Sequence, residues 1–393
     1  MACNPAKLCA ICALCAIYPV LSPLARGADC AETSVGFAPL TDLGAGLYLD
    51  QFAGGLYAMG AVAPPLALRA DTGAAAVDIG PLSAAGAPDP GGKYVFLSIG
   101  LSNTTQEFGA FLNLIQNDSR VRTGGQIVLD GAAGGQHTAT WDNPADANYD
   151  RVRDTVLAPA GVTEAQVVAV WVKLANPRPV VALPDAGADA FTLEAGLGNV
   201  ARALRIRYPN LQLAFFSSRI YAGYSVTNLN PEPYAYESGF AVKWLIEAQQ
   251  TQVATNAIDA IAGNLLPGAQ APLLLWGPYL WADGLIPNAG GVTWRCADLA
   301  NDGTHPSATG REKVASLLLE FLLRSPASSP WFSTLPSGDV DLDGAVGPGD
   351  LLTMLAAWGS CGAKQLCAGD VNGDGVTGPG DLLTLLANWG SGP

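Results

Sequence analysis

Asp302-Gly-Thr-His305-Pro-Ser carries one of only two histidines in the chain, just ahead of the amphipathic stretch Ala308 to Leu323. A histidine three residues after an aspartate, on a loop that opens a helix, suits a general base whose second ring nitrogen is held by a carboxylate. Such a base needs a nucleophile. Ser102, in Ser98-Ile-Gly-Leu-Ser102-Asn-Thr-Thr, stands where the apolar run Tyr94 to Ile99 ends and a helix-like stretch begins. A serine hydroxyl attacks poorly until an imidazole takes its proton, and the charge then developing on the substrate oxygen needs donors already in place. Gly134 and Gly135, in Asp130-Gly-Ala-Ala-Gly-Gly-Gln-His137, are suited to that task because a glycine amide can be approached closely. The chemistry to expect is acyl transfer through Ser102, His305 and Asp302. His137, the other histidine, reads as a loop residue, and Asp130 and Asp142 read as loop carboxylates.

These residues need elements to hold them. Between Lys93 and Arg324, apolar runs of strand length alternate with helix-like stretches, the pattern of an α/β domain with a parallel sheet. Strands are expected at Tyr94 to Ile99, Gln126 to Leu129, Gln166 to Val172, Leu211 to Phe216 and Pro272 to Trp276. Helices are expected at Thr105 to Gln116, Tyr149 to Val156, Thr192 to Arg207, Tyr236 to Gln249 and Ala308 to Leu323. Ligands of such sheets bind beyond the carboxyl ends of the strands, which Ser102 and the loop of His305 can both reach. Two aromatic stretches follow strands and belong to the same edge, one with Arg219, Tyr221 and Glu237, the other with Tyr279. They either hold a sugar ring or pack the loops. Arg219 and Glu237 are either substrate contacts or an ion pair with each other.

The order Ser102, Gly134-Gly135, Asn176, Asp302-x-x-His305 resembles the four blocks of the SGNH (GDSL-type) hydrolases over roughly residues 93 to 324. The resemblance implies a flavodoxin-like three-layer sandwich with a five-stranded parallel sheet. It also implies that Ser102 is the nucleophile, His305 the base and Asp302 its orienting acid, with the Ser102 amide, Gly134 or Gly135, and Asn176 as oxyanion donors. Two blocks depart from the family pattern. Trp171-Val-Lys-Leu-Ala-Asn176 stands where Gly-x-Asn-Asp is usual, which puts Lys173 forward as a site residue. Gly100-Leu-Ser102-Asn103 replaces Gly-Asp-Ser, and its Gly-x-Ser-Asn form is similar to the sialate O-acetylesterase-like branch. That similarity implies acyl groups on a carbohydrate as substrate.

A second kind of chemistry lies near the C-terminus, where a stretch from Gly338 returns from Gly369 with a period of 31 residues. Each copy offers oxygen ligands at loop positions 1, 3, 5 and 12: Asp339, Asp341, Asp343 and Asp350, then Asp370, Asn372, Asp374 and Asp381. Gly344 and Gly375 fall at the turn position, and Pro348 and Pro379 suit the first turn of a following helix. Random acidity would not repeat ligands, glycine, proline and tryptophan in register. Two calcium sites are expected. The copies resemble dockerin repeats, which implies a small α-helical module over 338–393 and a cohesin-like partner, although Pro348-Gly349 and Pro379-Gly380 occupy positions that carry polar recognition residues in many dockerins. Residues 325–337, rich in Ser and Pro, read as the linker, and residues 28–92 as an irregular N-terminal extension.

Composition narrows the partners. With 34 acidic against 20 basic side chains the chain has no basic stripe to displace phosphate counterions, which argues against nucleic acid or an anionic membrane surface. Residues 1–27 read as an export signal, with Lys7 ahead of a mostly apolar run and small residues before Ala28, and no other stretch could span a membrane. Export leaves Cys30, Cys296, Cys361 and Cys367. Cys361 with Cys367 is the local pair, and Cys30 with Cys296 remains, as a disulfide or as two free thiols. The expected protein is a secreted or cell-surface serine esterase acting on acylated carbohydrate. A lipase or thioesterase of the same fold, or a calcium-dependent attachment protein without activity, stays open.

Overall fold

The protein is described by a computed structural model covering residues 27–392; the expected export signal lies outside the described residues except for Gly27. Five parallel strands form the central sheet: β1 Tyr94–Gly100, β2 Gln126–Asp130, β3 Val167–Lys173, β4 Leu213–Phe216 and β5 Leu273–Trp276. Their order, β2-β1-β3-β4-β5, is that of flavodoxin-like doubly wound sheets. Every residue of β1 and β3 is buried, as befits strands covered on both faces, and this is why their sequences run apolar rather than alternating. The chain reverses direction across the sheet between β1 and β3, so a crevice opens beyond their carboxyl ends.

Long helices are α1 Leu66–Asp78, α2 Ser102–Ile115, α3 Asp189–Arg207, α4 Tyr234–Thr255 and α5 Ala308–Arg324. Helix α2 packs on α5, and α3 on α4. The Ser307 side chain accepts from the Gly310 amide and caps α5, while Asn256, left-handed at φ 62°, ends α4.

Two stretches depart from expectation. Residues 28–92 are not wholly irregular, since they contain α1 and a small antiparallel pair, Leu47–Tyr48 with Phe52–Ala53. The expected linker contains the buried Trp331 and Phe332, which stack among Phe96, Phe111 and Phe215. Two aromatic side chains expose too much apolar surface to be left in water, whatever the surrounding Ser and Pro suggest.

Cys30 is bonded to Cys296 and Cys361 to Cys367. The repeats form two short helices, α6 Pro348–Ala356 and α7 Pro379–Ala387, around a core of their own made by Val340, Val346, Met354 and Leu385. This unit rests on the main domain. Gln365 donates to the Gly277 carbonyl and accepts from the Tyr279 amide, each at 2.7 Å, and Arg324 donates to the Val340 carbonyl at 2.8 Å.

Candidate active site

A single residue, Leu101, separates the end of β1 from Ser102 at the first position of α2. The turn is tight because Gly100 has no side chain: a Cβ there would lie 2.2 Å from Thr104 Oγ1 and 2.6 Å from the Lys173 carbonyl oxygen. Thr104 Oγ1 donates to that carbonyl at 2.7 Å, tying the start of α2 to the end of β3. The amides of Ser102, Asn103 and Thr104 precede the first intrahelical bond, from the Thr105 amide to the Leu101 carbonyl, and so have no intrahelical partner.

The loop of His305 is shaped by a second glycine. Gly303 has φ +65°, and a Cβ there would lie 1.9 Å from the Tyr224 carbonyl oxygen. Thr304 Oγ1 meets Ser225 Oγ at 2.7 Å and Thr227 Oγ1 at 2.6 Å, while Asn103 Nδ2 donates to the Thr304 carbonyl at 3.0 Å. The loop and the start of α2 are thus held to each other.

The structure brings Ser102, His305 and Asp302 together. Ser102 Oγ lies 2.8 Å from His305 Nε2, and His305 Nδ1 lies 2.6 Å from Asp302 Oδ2. Asp302 Oδ1 accepts from the amides of Thr304 at 2.9 Å and His305 at 3.0 Å. Burial pushes the Asp302 carboxyl up, but the bonds from the His305 ring and these amides outweigh it and hold the group below the usual carboxylate range. An ionised carboxylate there favours the tautomer with a proton on Nδ1, leaving Nε2 free to take one from Ser102.

The relay opens on a cavity of about 280 Å³. Gly135, His137, Asn176 and Arg219 line it with Ser102 and His305. Gly134 and Gly135 are exposed, and neither amide donates a hydrogen bond within the described residues. Asn176 reaches the cavity, but its Nδ2 donates to Asp189 Oδ1 at 3.0 Å, so its side chain is committed to a carboxylate.

Three expected substrate contacts lie elsewhere. Lys173 is 0% exposed, with Nζ 2.7 Å from both oxygens of the equally buried Glu107. Burial pulls this lysine down to about 8 against the opposing charge of Glu107. Tyr221 is buried and donates to the Glu32 carbonyl at 2.7 Å, and the buried Tyr279 hydroxyl accepts from the Leu40 amide at 2.9 Å. The aromatic stretches therefore pack the loops. Arg219 and Glu237 form no ion pair: Glu237 accepts from Tyr48 and from the Leu183 amide, and Arg219 joins no salt bridge among the described residues.

Sequence reasoning missed Asn103, Thr304 and the role of Asp130. Asp130 accepts from Ser98 across the β1–β2 register and from Thr105 at 2.5 Å, bracing the base of the turn that carries Ser102. Its position at a strand end, beside a polar residue within an apolar strand, was the signal available.

No protein-family model matches the chain, and no curated protein matches it. Among solved structures it is similar to a Bacteroides fragilis protein provisionally described as an acylhydrolase. Identity there is 13% and the TM-score 0.30, over 59% of this chain and 87% of that one. It is also similar to a gut microbial diltiazem-metabolizing enzyme, at 14% identity and TM-score 0.28, over 61% of this chain and 48% of that one. At such scores neither carries a reading of the site, whose chemistry rests on its own geometry.

The acidic loops form separate clusters. Oxygens of Asp339, Asp341 and Asp343 lie within 4.8 Å of one another. In the first loop Asp350 accepts from the amides of Val340 and Gly347, both at 2.7 Å, and in the second Asp381 accepts from Val371 and Gly378, both at 2.8 Å. Burial and then neighbouring carboxylates raise Asp339, and burial foremost raises Asp370 to about 6. An all-oxygen donor set, with three carboxylates gathered in the first loop, fits a hard divalent cation.

Proposed function

We propose that the chain is an exported serine ester hydrolase that removes acyl groups, O-acetyl foremost, from carbohydrate. The observation that carries this reading is the ordered contact of Ser102 Oγ with His305 Nε2 and of His305 Nδ1 with Asp302. As Ser102 Oγ attacks the ester carbonyl, its proton passes to Nε2 and the carbonyl electron pair moves to oxygen. The Gly135 amide, in the cavity lining, and the first-turn amides of α2, which have no intrahelical partner, would be the donors to that oxyanion. Collapse expels the alcohol, which takes the proton back from His305 and leaves an acyl-serine. Water, deprotonated by the same imidazole, then releases the acid and restores Ser102.

Hydrolysis of 4-nitrophenyl acetate by the protein and by Ser102→Ala tests the mechanism. A loss of roughly 10³-fold or more in kcat is expected. Equal rates would reject it.

The carbohydrate assignment draws on the Gly-Leu-Ser-Asn block and on the dockerin-like repeats. The two disulfides fit an oxidising compartment and thus export. Asp339, Asp341, Asp343 and Asp350 would hold one calcium ion, and Asp370, Asn372, Asp374 and Asp381 the other. Bound calcium would neutralise the crowded carboxylates and fix each loop against its helix. Calorimetric calcium titration should give two sites, lost when Asp339 and Asp370 are both changed to Ala. Undiminished binding in that variant would refute the assignment.

A cohesin-like partner would meet exposed apolar side chains of the two repeats. Leu352 and Trp358 are 68% and 46% exposed, and their repeat mates Leu383 and Trp389 match them at 68% and 46%. Such a duplicated apolar row is costly to leave in water.

A further inference from the structure

Arg219 follows β4 and lines the cavity into which Ser102 and His305 open. The residue is 2% exposed, yet its guanidinium makes no hydrogen bond and no ion pair with any described residue. Nε and Nη2 are sealed and without partners, which leaves Nη1 as the nitrogen that breaks the surface. Buried polar groups are nearly always hydrogen-bonded, and a buried guanidinium without an acceptor is among the costliest exceptions.

The surrounding charges do not remove this need. Glu107, Glu232 and Asp302 stand near enough for their charges to act on Arg219. Each is engaged elsewhere: Glu107 with Lys173, Glu232 with the Trp281 indole and the amides of Ala222 and Tyr236, and Asp302 with His305. Arg219 therefore has part of its charge balanced through space and no carboxylate paired with it among the described residues. Asn103 and Asn230 also line the cavity and give their amide nitrogens to the carbonyls of Thr304 and Asn176, while their Oδ1 atoms are buried, so Arg219 is the group left to meet a ligand there.

We infer that Arg219 is a recognition site for a carboxylate carried by the substrate next to the scissile ester. Resting on the ester-hydrolase reading, this narrows the substrate class to esters bearing a carboxylate, with the acid on the sugar or on the acyl group. A monoanion is the fitting charge, because one guanidinium faces the cavity while Asp302 and Glu232 lie close by. A phosphate dianion would meet them with excess charge. Arginine, always protonated and a strong donor to carboxylate oxygens, suits this role better than lysine.

The test compares three esters that differ only in the position of the acid: an O-acetylated methyl galacturonoside, an O-succinylated methyl galactoside and an O-acetylated methyl galactoside. Their binding to the Ser102→Ala protein is measured by calorimetry, so the result does not depend on turnover. One of the two acids should bind at least about tenfold tighter than the neutral ester, and which of them does so shows where the carboxylate belongs. Adding Arg219→Gln should erase that preference, and Arg219→Lys should restore part of it. Equal binding of all three, or a preference that survives Arg219→Gln, would overturn the assignment. If the Arg219 variants fail to fold, the comparison of the three esters on the Ser102→Ala protein with Arg219 intact decides the matter. Hydrolysis of 4-nitrophenyl acetate that is equal in wild type and Ser102→Ala would remove the ester-hydrolase reading separately, while the binding comparison still judges Arg219.

Discussion

Asp302 is a loop carboxylate most of whose acceptor capacity is already used. One oxygen takes two backbone amides and the other takes the His305 ring, so its negative charge is fixed in place before any substrate arrives. Replacement by asparagine keeps the size and the amide-accepting oxygen, but it presents an NH₂ to Nδ1 and favours the tautomer with its proton on Nε2. Ser102 would then lose its base without losing its position. Asp302→Asn is expected to lower kcat on 4-nitrophenyl acetate by about 10²- to 10⁴-fold while KM stays close to wild type. A loss of less than threefold in steady-state assays would mean that Asp302 only shapes the loop. The two ends of this relay could be read from the sequence because both are local patterns, a strand-to-helix serine and an Asp-x-x-His. Arg219 was visible as a charged residue after a strand, but its lack of a partner was not, since that depends on the nearby Glu107, Glu232 and Asp302 each being engaged elsewhere.

At the scale of elements, the five strands could be read because each is a short, almost wholly apolar run between turn signals, and the observed strand boundaries fall within two residues of the expected ones. The loops could not. Asn176 looked like an oxyanion donor from its place in the order, yet Asp189 at the start of α3 captures its side chain. The aromatic stretches looked like a sugar platform, yet their rings fill the space under long loops, which only the tertiary arrangement decides. Trp331 and Phe332 were hidden in a linker composition and complete the core instead. The loop of His305 shows how such details reach the chemistry. Its left-handed Gly303 lies against the Tyr224 carbonyl, so any side chain must push that carbonyl away and shift Asp302 with it. Gly303→Ala is expected to destabilise the fold by roughly 1 to 3 kcal/mol and to cut kcat, because strain there is relieved by moving the base. Thermal unfolding and kcat measured on the same preparation check this. An unchanged kcat would show that the relay tolerates movement of its loop.

Across the whole molecule, acidity and burial meet in a way that sets its response to pH. Glu194 and Glu237 are both buried; burial, aided for Glu194 by Asp259 and Glu247, raises Glu194 to about 8, and burial raises Glu237 to about 7. In the unfolded chain both would titrate near 4.5. Between those limits the folded chain holds protons that the unfolded chain has released, so stability is greatest at the acidic end and declines as pH rises through 7 and 8. Carboxyls held low, such as Asp302, Asp118 and Asp298, act in the opposite sense, but only below the usual carboxylate range. Self-repulsion in a chain with formal net charge −14 at pH 7 adds to the decline. The melting temperature in excess calcium, which on the proposed assignment would keep the repeat loops from contributing, should therefore be about 5 °C or more higher at pH 5.5 than at pH 8.5. Glu194→Gln should remove part of that difference, because an amide in the same place has no proton to lose. A melting temperature that rises with pH over this interval would mean that neither acid holds its proton in the folded chain.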